Sequence, residues 1–353
     1  MTRGWLLLGL ACLLGWGGPG RASTVRATLG LEYDDNLFEY QKSRRSGWIS
    51  RLYLSSGSRL LDRKWGNLQV QHQWGIKRFW RSEEVAGTSG DIVANYLELG
   101  GVLRLSERLQ ASWASELKIK SVQQISSEES YLRGGLRLGL NGQWGNRLKG
   151  GIGYRRSGAE ARDPRLADVS MHEGSANLSY ARSRRLRGSL GFRWRRQNYG
   201  RPALMERDEE VEESGIDQED VGREWSAAVQ VYRGLLAHVQ YAFINNSSNS
   251  TGYGFAAHRM QLMLTRHLGK GVDGQLFFTS QVRRYDEAEV SEAAEPGGAH
   301  DEYEQTLFSL KLARRFGERY DLSWQYRSSR NGSRGGDGFF RKKVYSLAID
   351  MGI

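Results

Sequence analysis

The sequence predicts an all-β fold, a transmembrane antiparallel up-and-down β-barrel of about sixteen strands. Three observations predict it. Apolar and polar residues alternate almost without interruption from Thr24 to Ile353. The joints between these runs are short and long in strict turn. No run beyond the N-terminal segment approaches the ~20 apolar residues that a membrane-spanning helix needs. The run 185–195 shows the alternation well: Leu186, Leu190, Phe192 and Trp194 share one face, and Arg187, Arg193 and Arg195 share the other. Successive side chains on a strand point to opposite faces, so this ribbon is apolar on one side and cationic on the other.

Residues 1–22 are set apart as a secretion signal. Arg3 supplies the positive start, Trp5 to Trp16 a short apolar stretch, and Gly17 to Ala22 a small-residue region suited to cleavage near Ala22. The single cysteine, Cys12, falls inside this segment and is expected to leave with it. A lipoprotein would need Leu-x-x-Cys at the cut, whereas Gly9-Leu10-Ala11 precedes this cysteine. Neither disulfides nor thiol chemistry is then expected in the mature chain. The remainder, 24–353, is assigned to the barrel. A composition of 44 Gly, 4 Pro and 11 Trp with only 39% hydrophobic residues suits a wall whose apolar side chains point outward at every second position.

The alternating runs are 24–33, 47–59, 67–79, 92–105, 108–121, 130–142, 146–156 and 168–182, then 185–197, 223–233, 235–245, 254–266, 271–284, 303–314, 319–329 and 339–353. Tight joints at Leu61–Gly66, Ser106–Glu107, Gln143–Asn146, Ser183–Arg184, Gly234, His267–Lys270 and Arg315–Glu318 carry several of the Gly and Asn residues that hairpin turns favour. Between them lie longer polar joints at 34–46, 80–91, 122–129, 157–167, 198–222, 246–253, 285–302 and 330–338. An even strand count places both chain ends at the short-turn rim. Tyr33, Trp48, Trp74, Trp113, Tyr154, Tyr180, Trp194, Trp225, Tyr241, Trp324 and Tyr345 recur about once per strand, as interfacial girdles require.

On these features the chain resembles Gram-negative outer-membrane β-barrel proteins over its whole mature length. The stretch Leu31-Glu32-Tyr33-Asp34-Asp35-Asn36-Leu37-Phe38 carries a narrower resemblance, to barrels encoded beside exopolysaccharide export and assembly systems. The resemblance implies residence in the outer membrane and contact with lipid and lipopolysaccharide. It departs from the usual pattern in ending on Ile353 instead of Phe or Trp. The third long joint, 122–129, is also too short for the inward-folded constriction loop of general porins.

With the apolar register outward, the inner face receives Arg26, Arg51, Lys77, Lys118, Lys120, Arg133, Arg137 and Lys149. It also receives Arg155, Arg187, Arg193, Arg195, Arg259, Arg283, Lys311 and Arg327. The inward acids expected are Glu32, Glu98, Glu116, Asp273 and Asp321, so a strongly cationic lumen is predicted. Such a wall concentrates anions, and rings of Arg and Lys select them. Arg51, Lys77, Lys118, Arg133, Arg137, Arg187, Arg193, Arg195, Arg259 and Arg283 are the candidate anion-binding residues. The loop 198–222 concentrates Glu206, Asp208, Glu209, Glu210, Glu212 and Glu213, with Asp217, Glu219 and Asp220 beyond. Its acids suggest a solvated run, a gate over a cationic mouth, or a divalent-cation bridge to lipid head-groups. A second acidic loop spans Asp286 to Glu304.

Enzyme readings find no support. The six histidines are scattered, and no His-Glu-x-x-His, Gly-x-Ser-x-Gly or phosphate-loop pattern occurs. His172-Glu173 is the nearest approach to a dyad, and Asp34-Asp35-Asn36 the nearest to a cation site. No cofactor, metal or nucleic acid is expected, since the basic residues are dispersed over strands. The function expected is a channel for diffusion or export of anionic solutes, an acidic exopolysaccharide among them. The alternative is a non-conducting accessory barrel serving a periplasmic export partner.

Overall fold

The computed structural model describes residues 23–36, 46–80, 91–122, 130–161, 168–207, 210–285, 302–333 and 340–353. Residues 1–22 with Cys12, expected from the sequence as a secretion signal, residues Leu37 and Phe38, Asp208 and Glu209, and segments 123–129 and 286–301 lie outside the described residues. Strands follow the alternating runs in order: β1 (Ser23–Asp34), β2 (Gly47–Arg63), β3 (Gly66–Phe79), β4 (Ile92–Arg104), β5 (Leu109–Val122), β6 (Tyr131–Trp144), β7 (Leu148–Ala161) and β8 (Val169–Ser183). The second half comprises β9 (Leu186–Arg207), β10 (Glu210–Tyr232), β11 (Leu236–Ser248), β12 (Phe255–Gly269), β13 (Val272–Tyr285), β14 (Glu302–Phe316), β15 (Tyr320–Ser333) and β16 (Phe340–Gly352).

Each strand pairs antiparallel with its chain neighbours, and β1 pairs with β16 to close the barrel. Closure is obligatory in lipid, which offers no partners to the backbone groups of an open edge. At the seam Leu29 lies opposite Ile349 and Leu31 opposite Leu347. Ile353 still contributes, donating its N–H to the Val25 carbonyl at 2.9 Å. The Asp-Asp-Asn of the first strand's end reinforces the same seam. Lys342 bridges to Asp34 at 2.9 Å, Asn36 Nδ2 donates to the Arg341 carbonyl at 3.1 Å, and the Lys343 N–H donates to Asp35 at 2.5 Å. These residues, read from sequence as a candidate cation site, join the two ends of the chain.

The registers carry a single inside–outside parity round the whole barrel. Ile152 and Leu190, each 62% exposed, mark the outer face, and Leu136, Leu178, Val229, Met260 and Leu347 continue it. Exposed aromatics bound this band at the loop end with Trp48, Trp80, Tyr154 and Trp225, and at the turn end with Trp65, Trp144, Tyr180 and Tyr320. The arrangement is the apolar belt and paired girdles of a membrane-spanning barrel. At the turn end the chain reverses within a few residues. In the β12–β13 turn Gly269, Lys270 and Gly271 take φ values of 93°, 51° and 72°, a left-handed run that two glycines make inexpensive.

The largest departure from the sequence reading is at 198–222, expected as a long loop. Its described residues, 198–207 and 210–222, are strand. β9 and β10 extend to 22 and 23 residues, and form one hairpin well beyond the 12 to 17 residues seen in β1 and β2.

A cysteine scan tests the parity in a Cys12→Ser background. Cysteine at Ile152 or Leu190 should react only with lipid-phase maleimides, and cysteine at Gly153 or Ser189 only with charged aqueous thiosulfonates. Uniform reactivity at all four sites would contradict the assigned faces.

Candidate functional site

The inner wall carries the polar chemistry. Directly opposed residues share a face, so the register follows an inner set from Gly30 to Arg51 to Lys77, and from Lys118 to Arg133. It continues through Arg137 to Arg155 to Glu173 to Arg195, and through Arg259, Lys311 and Arg327 with their inner-face neighbours. Arg187, Arg193 and Arg283 fall on the same face. Every candidate anion-binding residue read from the sequence therefore lines the lumen.

The expectation of few inward acids needs correction. Glu173, Glu224, Asp34, Asp220 and Asp350 also face inward. Their parity was available in the sequence: Trp225, Val229 and Val231 point outward on β10, which sends Glu224 the other way. Leu178 and Tyr180 do the same for Glu173. These carboxylates organise the arginines into a belt at mid-height. Glu98 accepts from Arg137 and, at 2.5 Å, from the Tyr96 hydroxyl. Glu116 accepts from Arg155 and lies 3.9 Å from Arg137. Arg193 stands 3.8 Å from Glu173 and 3.6 Å from Glu224, which also takes Arg259 at 2.7 Å. Glu32 pairs with Arg51 at 2.8 Å. Gly135 makes room for the Glu116 carboxylate, since a Cβ there would sit 3.0 Å from it.

The belt holds its guanidinium groups without hiding them. The side chains of Arg193 and Arg137 stay 50% and 44% exposed, so their remaining N–H groups face the passage. A guanidinium fork fixed by one carboxylate can offer its other edge to a passing carboxylate or phosphate. Lys77, Arg133, Lys149, Arg187, Arg195, Lys311 and Arg327 line the lumen without an ion pair among the described residues. Lys118 lies over the Tyr131 ring and Arg283 over Phe255, at 5.4 and 4.9 Å. The lumen is thus a charge-balanced belt flanked by surplus cations, in place of an evenly cationic wall.

The acidic segment is built into the β9–β10 hairpin. Glu206, Glu212 and Glu213 are exposed on its strands, Glu210 opens β10, and Asp208 and Glu209 lie outside the described residues. The pairing is irregular between Glu213 and Asp217 and between Asp217 and Glu219, where the hairpin bends. There a clasp fixes it. Arg201 stacks between the rings of Tyr199 and Tyr253, 5.5 and 5.1 Å from their centroids, and its Nε donates to Gln218 at 2.8 Å. Gln218 donates to Asp220, which also accepts from Ser248 at 2.7 Å. Leu204 receives the Thr251 N–H at 2.9 Å and bonds the Ser250 hydroxyl at 2.9 Å. Asp220 and Ser248 are inner-face residues, so the hairpin leans over the β10–β12 sector of the mouth. Gln218 and Ala203 are 1% and 0% exposed beneath it, a packed seat that a solvated acidic loop would lack. The clasp was not legible in the sequence because it depends on side-chain contacts among β9, β10, β11 and the turn after β11, which strand periodicity does not encode.

The candidate dyad His172-Glu173 resolves differently. His172 and Glu173 are strand neighbours on opposite faces and cannot act together. His172 Nδ1 instead meets the Tyr154 hydroxyl at 2.7 Å on the outer wall.

No protein-family model matches the chain, and no curated protein does. Solved structures do. OccAB1 of Acinetobacter baumannii matches at a TM-score of 0.53 with 8% identity, over 95% of this chain and 97% of that one. OccAB4 of the same species gives 0.52 with 12% identity, over 95% and 100%. OpdQ of Pseudomonas aeruginosa gives 0.52 with 6% identity, over 95% and 99%. The likeness is one of fold. At this identity it extends to the closed barrel alone.

Arg201→Ser removes both ring contacts and the Gln218 bond. The hairpin should lose about 1–2 kcal/mol of local stability. Hydrogen exchange over 202–216 should then rise about tenfold or more while the mid-barrel strands stay protected. Unchanged exchange there would show that the clasp does not hold the hairpin.

Proposed function

We propose that this chain is an outer-membrane channel that passes anionic solutes by electrostatic attraction and graded weak binding, with no covalent step. The observation that carries the reading is the set of inner-face cations left without carboxylates among the described residues, above, below and beside the belt. Lys149 and Arg187 stand towards the turn end, Lys311 and Arg327 lie on adjacent strands at mid-height, and Lys77 and Arg133 stand towards the loop end. A low-dielectric wall with surplus positive charge raises the local anion concentration, and several weak sites in series allow release as well as capture.

The turn rim supports the same reading. Between the β6–β7 and β8–β9 turns lies a cleft of about 520 Å³ lined by Arg147, Arg182, Arg184, Arg185 and Arg187, together with Gln230 and Tyr232 and no carboxylate. With short turns facing the periplasm, this cleft is the cationic approach to the passage. An acidic exopolysaccharide is the polymeric case of the same chemistry. Exposed Glu206, Glu212 and Glu213 disfavour anion accumulation at the far mouth. The clasped hairpin that carries them is the gate of this scheme, and its movement requires Arg201 to leave its two rings. The leaning hairpin also favours a second reading, an accessory barrel with little free conduction whose basic turn rim receives a periplasmic partner.

Reversal potentials in asymmetric KCl separate the two. The wild-type barrel should prefer chloride, and Ser at Lys149, Arg187, Lys311 and Arg327 together should move the reversal potential to zero or beyond. Glu116→Gln, which releases Arg137 and Arg155, should shift it the opposite way. Retention of anion preference in the fourfold variant would refute the lumenal assignment. Absence of conductance in a folded, heat-modifiable barrel would favour the accessory reading.

A further inference from the structure

Charged residues on a lipid-facing wall are costly near the bilayer midplane and nearly free of penalty at its edges, so their position carries meaning. On the outer wall at the loop end, Arg156, His172 and Arg196 stand directly opposite one another on β7, β8 and β9. With strands about 4.8 Å apart, the three side chains form a row about 10 Å long. Arg223 on β10 lies opposite Trp194, one step closer to the apolar band. Arg156 and Arg223 are exposed and form no ion pair among the described residues. Arg196 holds Glu219 at 2.6 Å and stays half exposed, with N–H groups to spare. Glu160 is the next outward acid, nearer the rim.

Immediately on the membrane side of these cations the apolar wall is notched. Ala176 and Ala227 are small residues set among Leu178, Leu190, Phe192 and Trp225, and they leave a groove of about 440 Å³ with almost wholly apolar walls. Phe192 and Trp225 pack with their rings tilted, 4.3 Å between centroids, and fix its upper wall, just below Arg223. An apolar slot capped by cations at the interface matches an amphiphile with an anionic head. A bulk acyl chain would need only the slot, and a soluble anion only the arginines. We propose that this surface binds a phosphorylated glycolipid of the outer leaflet, lipid A. One acyl chain lies over Ala176 and Ala227, and a phosphate is received by Arg223 and Arg196 with Arg156 beside them. Guanidinium groups grip phosphate oxygens bidentately, which fits the predominance of Arg in this row. The site lies outside the lumen and goes beyond the channel reading, sharing with it only the orientation that puts the loop end outward.

Tryptophan-fluorescence titration of the full barrel in detergent tests it, with bisphosphorylated lipid A, dephosphorylated lipid A and phosphatidylglycerol as separate probes. Replacing Arg156, Arg196 and Arg223 together with Gln should weaken bisphosphorylated lipid A about a hundredfold. On the wild type the dephosphorylated form should bind comparably weakly. Ala227→Trp, which fills the slot, should weaken both forms, with heat-modifiability confirming that each variant is folded. The proposal is overturned if the triple variant binds lipid A like the wild type, or if phosphatidylglycerol binds the wild type as tightly as lipid A does. A changed KCl reversal potential in the triple variant would place these arginines in the lumen and overturn it too. Failure of the channel reading leaves these titrations interpretable, because they read binding and not conductance.

Discussion

Backbone hydrogen bonding in a solvent that cannot share it is the constraint on which the rest of this structure depends. Each strand must find partners on both sides, so the only stable solution for a sheet in lipid is a closed one. Here the seam between β1 and β16 completes it, held by paired backbone and by the contacts of Asp34, Asp35 and Asn36 with residues 341–343. Once the ring is closed, every residue inherits a face from its place in the register. A slip of one residue at the seam would turn an entire strand's leucines into the water and its arginines into the lipid.

Two distinct chemistries follow from that inheritance. Outward, alternation yields an apolar band between aromatic girdles, interrupted at the loop end by a short row of cations. Inward, it concentrates arginine and glutamate within reach of one another across neighbouring strands. Glu116 sits between Arg137 and Arg155 because β5, β6 and β7 are consecutive staves, and Glu224 serves Arg193 and Arg259 for the same reason. The carboxylates neutralise part of the wall and orient what remains. A guanidinium held this way is already oriented, and the cations without an ion pair among the described residues add to the positive charge of the wall.

The strand order, the parity of nearly every residue and the identity of the lumen-facing cations were legible in the sequence, because strand periodicity is local. Leu186, Leu190, Phe192 and Trp194 against Arg187, Arg193 and Arg195 suffice to orient β9 without any knowledge of its neighbours. The inward acids Glu173 and Glu224 were legible by the same rule. The β9–β10 extension was not legible. Its acids resemble a solvated loop, and what makes it strand is a seat formed by Tyr199, Arg201, Gln218, Asp220, Ser248 and Tyr253.

Sequence alone therefore determined that this chain forms a barrel, how its staves are ordered, and which side chains meet water or hydrocarbon. All of these follow from a two-residue period and from turn chemistry. Tertiary structure decided which charges pair, where the acidic hairpin leans, and where a notch in the outer wall falls beneath a row of arginines. Those depend on distances between residues far apart in the chain, which a period of two cannot encode.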